Sequence, residues 1–158
     1  MTEFEYIYEK NYPIVYKYVL SLCRNVSMAE EITQEAFVKA MEHMGQFDGK
    51  CQLYVWICQI AKNTYFTYLR KQKRFLSEHQ VLVEAEENLE DRFLEKETAK
   101  QIYKLMDQLQ SPYKEVFSLR VFGELSFSQI GELYGKTDSW ARLVYYRAKK
   151  RLKEDLDE

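Results

Sequence analysis

Apolar residues recur along this chain mainly at intervals of three and four, the spacing of one face of an α-helix. The alternation that marks β-strands is scarce, and only two prolines and five glycines interrupt the pattern. The spacing therefore predicts an all-α protein. The first apolar set is Tyr8, Tyr12, Val15, Val19 and Leu22.

Three helices are predicted in the first half of the chain. The first runs from about Thr2 to Cys23, with a possible bend at Pro13. The second begins near Ser27, a plausible N-cap with Glu30 as its capping-box partner, and stops at Gly45. A loop over residues 46–52 precedes a long third helix over residues 53–75, whose core positions are Val55, Trp56, Ile60 and Ala61.

The second half predicts a helix over residues 91–109 and another that opens with Ser111 as N-cap and Pro112 at the first helical position. Gly123 ends that helix. A short helix with Phe127, Ile130 and Leu133 facing a core, a turn at Gly135 and a second helix rich in cations then follow, with a charged tail. This layout is that of a helix-turn-helix, whose second helix enters the DNA major groove.

The net charge of −2 hides a segregated distribution. Residues 62–74 carry five cations and no acid, and residues 136–153 carry seven cations against Asp138 alone. Residues 78–97 between them carry eight acids against Arg92 and Lys96. We therefore expect two small helical domains, residues 1–75 and 91–158, joined by an acidic linker over residues 76–90, with the helix-turn-helix in the second domain.

The bulk properties narrow the class of protein. The 158 residues suffice for one ordinary domain or two small ones, and no apolar run approaches the length of a membrane span. Met1–Lys10 is acidic and aromatic, unlike a signal peptide, so a cytoplasmic protein is expected. The odd set Cys23, Cys51 and Cys58 contains no CxxC pair, which favours reduced thiols over disulfides or zinc.

The terminal helix presents candidate DNA contacts. Arg142, Tyr146, Arg147 and Lys150 follow at helical spacing and share one face, while Leu143 continues the core or lies at its edge. Arginine can bond guanine bidentately, and the lysines nearer the end suit phosphates. The alternative is a solvated amphipathic helix, which the Gly135 turn and the uneven charge disfavour.

A second candidate lies at residues 62–74, where Tyr65, Phe66 and Tyr68 stand among cations. Aromatic faces stack on unpaired bases while cations hold the backbone, which suits single-stranded DNA. Aromatics at helical spacing are more often core, so we expect some of these rings to be buried and some to face DNA.

The charged side of residues 29–44 is either a solvated face or a docking surface for a basic or helical partner. An enzyme is not favoured, because only His43 and His79 are available and neither lies in a metal or triad pattern. No glycine-rich phosphate loop is present. We expect no catalytic residue, no metal and no cofactor.

In the order of its segments, the sequence resembles the small, two-domain extracytoplasmic-function (group IV) sigma factors of the sigma-70 family. Residues 29–40 (AEEITQEAFVKA) resemble region 2.2 of that family, and 47–50 (FDGK) with 56–63 (WICQIAKN) resemble region 2.3. Residues 64–74 resemble region 2.4. Residues 109–120 (LQSPYKEVFSLR) and 126–152 resemble region 4, so the likeness covers nearly the whole chain.

The resemblance implies roles for particular residues. Core-polymerase binding falls to Glu31, Gln34, Glu35, Phe37 and Lys39, on or beside a face that docks the clamp coiled coil of the largest subunit. The loop Gln46–Gln52 and Asn63 would capture a flipped base of the −10 element, and basic residues would hold the strand. These downstream residues are Phe47, Asp48, Gly49, Lys50, Lys62, Asn63, Arg70, Lys71 and Arg74. The −35 element would be contacted by Arg142, Leu143, Tyr146, Arg147 and Lys150.

The implied function is that of a sigma factor, which directs core polymerase to promoters and promotes strand opening without ATP or metal. The implied partners are the polymerase core through its clamp and flap, promoter DNA and an anti-sigma factor, with no direct membrane insertion by this chain. The alternatives are a free-standing helix-turn-helix regulator of duplex DNA, which would not need the basic and aromatic stretch, and a helical adaptor. Two positions depart from the family: Thr67 stands where an acid is frequent, and Trp140 where a small residue or Thr is frequent.

Overall fold

The computed structural model describes residues 2–79 and 97–157, and all regular structure within them is helical. The first half holds α1 (Glu3–Cys23), α2 (Val26–Glu42), a 3-10 turn (Met44–Gln46) and α3 (Leu53–His79). The second half holds α4 (Glu97–Gln108), α5 (Tyr113–Val121), α6 (Phe127–Tyr134) and α7 (Asp138–Asp157). The all-α prediction is confirmed. Of the predicted linker, residues 76–79 are the last turn of α3, and residues 80–90 lie outside the described ranges, as do residues 91–96 of the next predicted helix.

Helices α1, α2 and α3 enclose one core, which we call the N-terminal domain. Its fully buried centre is Val15, Val19, Ile32, Phe37 and Ile57. The predicted N-cap at Ser27 is wrong. The chain turns sharply at Arg24, whose φ is 53°, and this leaves Asn25 extended so that its side chain accepts a 2.9 Å bond from the Met28 backbone N–H.

Helices α4 to α7 form the C-terminal domain around two adjoining clusters, centred on Ile130 and on Met106. The placement of Pro112 at the first helical position is wrong. Pro112 is the N-cap residue and its backbone is not yet helical, so Ser111 does not cap the helix and its hydroxyl donates to the Glu115 carboxylate at 2.6 Å.

The helix-turn-helix is confirmed as α6 and α7. Ser126 and Gln129 form a capping box at the start of α6, with bonds of 3.1 and 3.0 Å. Gly135 ends α6 in the left-handed conformation at a φ of 67°, which glycine adopts without strain. Gly131 allows the turn to fold back on α6, because a Cβ there would lie 2.7 Å from the Thr137 carbonyl oxygen.

The two domains pack against each other. Leu133 of α6 contacts the core clusters of both domains, as do Ile14 and Tyr18 of α1. The Tyr54 hydroxyl donates to the Glu132 carboxylate across this interface, and the buried Ser118 hydroxyl donates to the Ser21 carbonyl at 2.9 Å. At the periphery Arg24 pairs with Asp107 at 3.1 Å.

Candidate protein- and nucleic-acid-binding surfaces

A cleft of about 230 Å³ opens between the end of α2 and the middle of α3. Because α2 and α3 pack along one another, residues distant in sequence meet at its walls. The α2 side and the following turn contribute Lys39, His43 and Gln46, and the α3 side contributes Trp56, Ile60, Asn63, Thr64 and Thr67. Trp56 and Ile60 give the cleft an apolar part, and its other six lining side chains are polar.

The inner polar groups of this cleft bond to one another. The buried Thr64 hydroxyl donates to the Ile60 carbonyl at 2.8 Å and accepts from the Lys39 ammonium at 3.2 Å. Lys39 also pairs with Glu35 at 3.4 Å. Asn63 is exposed at the rim, and within the described residues its amide has no protein hydrogen-bond partner.

The loop beside the cleft holds several of the predicted downstream residues. Phe47 packs on Trp56 with ring centroids 5.3 Å apart, which fixes the loop against α3. Gly49 has a φ of 76°, and the Asp48 side chain accepts from the Lys50 backbone N–H at 3.0 Å. Asp48, Gly49 and Lys50 are therefore exposed to solvent in one turn.

The aromatic rings of the basic stretch differ in exposure, and the expectation that some of them face DNA stays a prediction. Tyr65 and Tyr68 pack against the domain core, whereas Phe66 is 41 % exposed. Phe66 and Tyr65 line a larger cavity of about 580 Å³ that faces the C-terminal domain. The cations of the stretch are exposed, including Lys62, Arg70, Lys71 and Arg74.

The predicted docking face on α2 is exposed at Glu31, Gln34 and Glu35, with Val38 beside them at 57 % exposure. Phe37 lies instead in the core at 1 % exposure, where its ring contacts Tyr8 at 5.0 Å. Its contribution to any docking is to hold α2 in place. Lys39 points to the cleft, as its bond to Thr64 shows.

Helix α7 separates a buried side from a cationic one. Ala141, Val144, Ala148 and Leu152 are buried, while Arg142, Leu143, Tyr146, Arg147 and Lys150 are exposed. Leu143 is 48 % exposed and is not among the residues that pack against the core, so it does not continue the core. Trp140 turns inward, with its ring 5.4 Å from that of Tyr134.

Arg142 and Arg147 occupy different surroundings. The Arg142 guanidinium lies 5.3 Å from the centre of the Phe127 ring and 3.9 Å from the Asp138 carboxylate. Arg147 and Lys150 instead border a groove of about 440 Å³ whose other wall includes Leu105 and Tyr113. The two arginines therefore lie in different environments, although both are exposed.

Sequence reasoning did not identify His43, Thr64 and Thr67 as neighbours of Asn63. Thr64 and Thr67 share the α3 side of the cleft with Asn63, but His43 comes from α2, and only the packing of the two helices brings it there. In the part of the chain that the structure describes, no group of His, Cys, Asp or Glu is arranged to hold a metal. No helix there is long and apolar enough to cross a membrane.

Comparison with known families matches both domains. The model of sigma-70 region 2 matches residues 7–75, and that of sigma-70 region 4 matches residues 99–152. No catalytic family is among these matches.

Similar curated proteins include two from Bacillus subtilis. The RNA polymerase sigma factor YlaC is 27 % identical, over 96 % of this chain and 91 % of the relative. The ECF RNA polymerase sigma factor SigM is 25 % identical, over 93 % of this chain and 91 % of the relative. Among solved structures, the sigma factor RpoE of Bartonella quintana, crystallised with the anti-sigma factor NepR, has the same fold, with a TM-score of 0.62, 20 % identity and coverage of 99 % and 98 % of the two chains.

Proposed function

This chain belongs to the sigma-70 family, with region 2 in its first half and region 4 in its second, and we propose which of its surfaces bind core polymerase and which bind the promoter. The chain is an RNA polymerase sigma factor of the extracytoplasmic-function type, which directs core polymerase to promoters. The assignment rests on one observation: the same chain has a cleft beside Asn63 and an exposed cationic helix-turn-helix.

The N-terminal domain, residues 1–75, binds core polymerase and the downstream promoter element. The exposed carboxylates Glu31 and Glu35 face the clamp coiled coil, with Gln34 and Val38 completing the contact. Charge complementarity at such a surface mainly sets partner choice and association rate. The flap of the polymerase contacts the C-terminal domain.

Strand opening uses binding energy alone. An unpaired base leaves the stack and enters the cleft at Asn63, while Lys62, Arg70, Lys71 and Arg74 hold the strand by its phosphates. Trp56 and Ile60 supply the apolar surface of the cleft. No covalent step occurs, so the chain is not an enzyme and needs no cofactor.

The C-terminal domain, residues 91–158, binds the upstream element with α7 in the major groove. Arg142 and Tyr146 face the bases, and Arg147 and Lys150 lie toward phosphate. A free-standing regulator of duplex DNA is not favoured, because such a protein would not need a sigma-70 region 2 domain, which matches residues 7–75 here. The chain acts in the cytoplasm, and an anti-sigma factor regulates it.

The decisive experiment is in vitro transcription with core polymerase and a library of promoter fragments. The full chain should give transcripts that depend on two separated sequence elements. Transcription by core polymerase without the chain serves as the baseline, and an unchanged transcript pattern on adding the chain would refute the proposal.

Docking is tested by charge reversal at Glu31 and Glu35. Both side chains are exposed, so Glu31→Lys with Glu35→Lys should preserve the fold and reduce affinity for core polymerase in a pull-down titration. Glu9→Lys, exposed on α1, is the matched control. Equal affinity of the double variant and the control would exclude this face.

A further inference from the structure

One aromatic ring lies beside both of the side chains proposed to face the bases of the upstream element. Phe127 is the first residue of α6. The centre of its ring lies 5.3 Å from the guanidinium carbon of Arg142 and 6.5 Å from the centre of the Tyr146 ring. Arg142 and Tyr146 are about one turn apart on α7, so the Phe127 ring adjoins two neighbouring positions of its exposed side.

The Phe127 ring is itself fixed by the fold. It is half-buried, packs against a core cluster of the C-terminal domain, and has its centre 5.6 Å from that of Tyr145. The Arg120 guanidinium lies over the same ring at 4.3 Å. Arg120 is held in turn, because it donates a 2.9 Å bond to the carbonyl of the buried Leu125. The position of the ring is therefore set jointly by α5, α6 and α7.

Two contacts restrict the exposed side chain of Arg142. Its guanidinium is attracted to the face of the Phe127 ring, an interaction that only an aromatic side chain can provide. The Asp138 carboxylate, four residues earlier on α7, lies 3.9 Å from the same guanidinium. An arginine side chain has large rotamer entropy when nothing restrains it. The ring and the carboxylate therefore limit the positions of Arg142 before DNA binds.

Restricting Arg142 in advance affects selectivity more than general affinity. Ordering a flexible side chain at an interface costs free energy, and ordering it beforehand removes part of that cost. The cost falls on the complex in which Arg142 contacts its base, because a mismatched base pair offers no contact that would order the side chain. Loss of the ring should therefore weaken binding to the correct sequence more than binding to a mismatched one.

We propose that Phe127, held by Arg120, is a positioning residue that keeps Arg142 ready for base contact. The proposal rests on the proposed function, since it assumes that Arg142 contacts a base of the upstream element. In this role Phe127 acts through Arg142 and needs no base contact of its own.

The test measures binding of holoenzyme, core polymerase with the full chain, to a promoter selected from the fragment library and to its single-base upstream variants. The selectivity ratio is the affinity for the correct sequence divided by that for a mismatch at the base pair where Arg142→Ala relaxes specificity. Phe127→Leu keeps an apolar side chain but removes the ring, and it should lower this ratio about three- to tenfold. Phe127→Tyr keeps the ring face and should retain the wild-type ratio.

A purely structural role of Phe127 would give a different result. It would lower the melting temperature and weaken binding to all sequences alike, with the selectivity ratio unchanged. Phe117→Leu is the matched control, because Phe117 is a buried ring of the same domain that stacks on Tyr145 at 5.6 Å. This variant should destabilise the domain and yet keep the wild-type selectivity ratio.

Combining Phe127→Leu with Arg142→Ala tests whether the ring acts through the arginine. If it does, Phe127→Leu should lower the selectivity ratio no further once Arg142 is absent. A wild-type ratio in Phe127→Leu, an equal loss in Phe127→Tyr or Phe117→Leu, or additive losses in the double variant would overturn the positioning role and leave the proposed function intact. No effect of Arg142→Ala at any upstream base pair would overturn the base contact in the proposed function, and the positioning role with it.

Discussion

At the scale of single residues, the structure separates side chains that share a sequence pattern. Arg142 and Arg147 lie on the same cationic stretch, five residues apart, yet five residues are about 140° around a helix. The Phe127 ring and the Asp138 carboxylate hold Arg142 near the start of α7. Because a recognition helix usually inserts its N-terminal part most deeply into the groove, we expect Arg142 to contact bases and Arg147 to contact phosphate.

Replacing each of the two arginines by alanine should accordingly have a different effect on DNA binding. Arg142→Ala should relax specificity at one upstream base pair at a cost of about 1–3 kcal/mol, whereas Arg147→Ala should weaken all sequences similarly and lower the salt slope by about one unit. Binding of holoenzyme to single-base upstream variants at several salt concentrations measures both. If Arg147→Ala relaxed specificity and Arg142→Ala weakened all sequences alike, the two roles would be exchanged. If neither variant changed binding, α7 would not be the helix that recognises the upstream element.

The three cysteines should differ sharply in reactivity. Cys51 is exposed, and Cys58 is 1 % exposed in the core. Burial raises the pKa of the Cys58 thiol, and it also raises that of Cys23, whose S–H donates to the Asn25 carbonyl at 3.3 Å. Because the thiolate is the nucleophile, we expect one fast thiol in a titration with a chromogenic disulfide, and Cys51→Ser should abolish it. Cys58 should react only in denaturant, and prompt labelling of Cys58 in native buffer would contradict its placement.

At the scale of secondary-structure elements, the sequence predicted the helices better than their ends. Apolar spacing located the helices because burying one face needs nothing beyond the helix period. Caps depend on how the preceding chain arrives. Because of the tight turn at Arg24, the N-cap is Asn25 and not the predicted Ser27. Because the backbone of Pro112 is not helical, Pro112 is an N-cap and not the first helical residue. For the same reason Asn63 could be identified from α3 alone, whereas His43 required the packing of α2.

The turn of the helix-turn-helix offers a test of the element itself. Gly131→Ala places a Cβ 2.7 to 2.8 Å from the carbonyls of Thr137 and Lys136, and these are backbone atoms that cannot rotate away. Overpacking of this kind costs about 1–3 kcal/mol, so the variant should melt at lower temperature and lose upstream binding. Gly45→Ala, with no atom within 4 Å of the added Cβ, is the control. Equal melting temperatures would show that the turn is looser than described.

At the scale of the whole molecule, the two domains are held together by both apolar contacts and hydrogen bonds. Leu133 provides apolar contact, and the Tyr54 hydroxyl meets the Glu132 carboxylate. Burial, with the Glu132 contact adding to it, raises the pKa of Tyr54. A hydrogen bond to a charged group contributes up to about 1.5–3 kcal/mol, so this pair adds to the apolar contact of Leu133 although Glu132 is exposed.

Removing both partners should loosen the packed arrangement without leaving an unpaired group. Tyr54→Phe with Glu132→Ala should increase the radius of gyration measured by small-angle X-ray scattering above the value of about 15 Å for a compact chain of this length. Tyr6→Phe, exposed on α1, controls for the loss of a hydroxyl. A wild-type radius far above the compact value would show that the domains are already apart in solution.

The contact between the two domains also limits the distance along DNA that one chain can span. Elements centred at −10 and −35 are about 25 base pairs apart, or about 85 Å of duplex at 3.4 Å per base pair, whereas a compact chain with a radius of gyration of about 15 Å is only about 40 Å across. One compact copy is too short to touch both elements until α5 and α6 leave α1 and α3. Promoter affinity of the free chain then falls about tenfold for every 1.4 kcal/mol that holds the domains together. We expect polymerase to bind the separated form and so to supply that free energy, holding the two domains at the spacing of the two DNA elements.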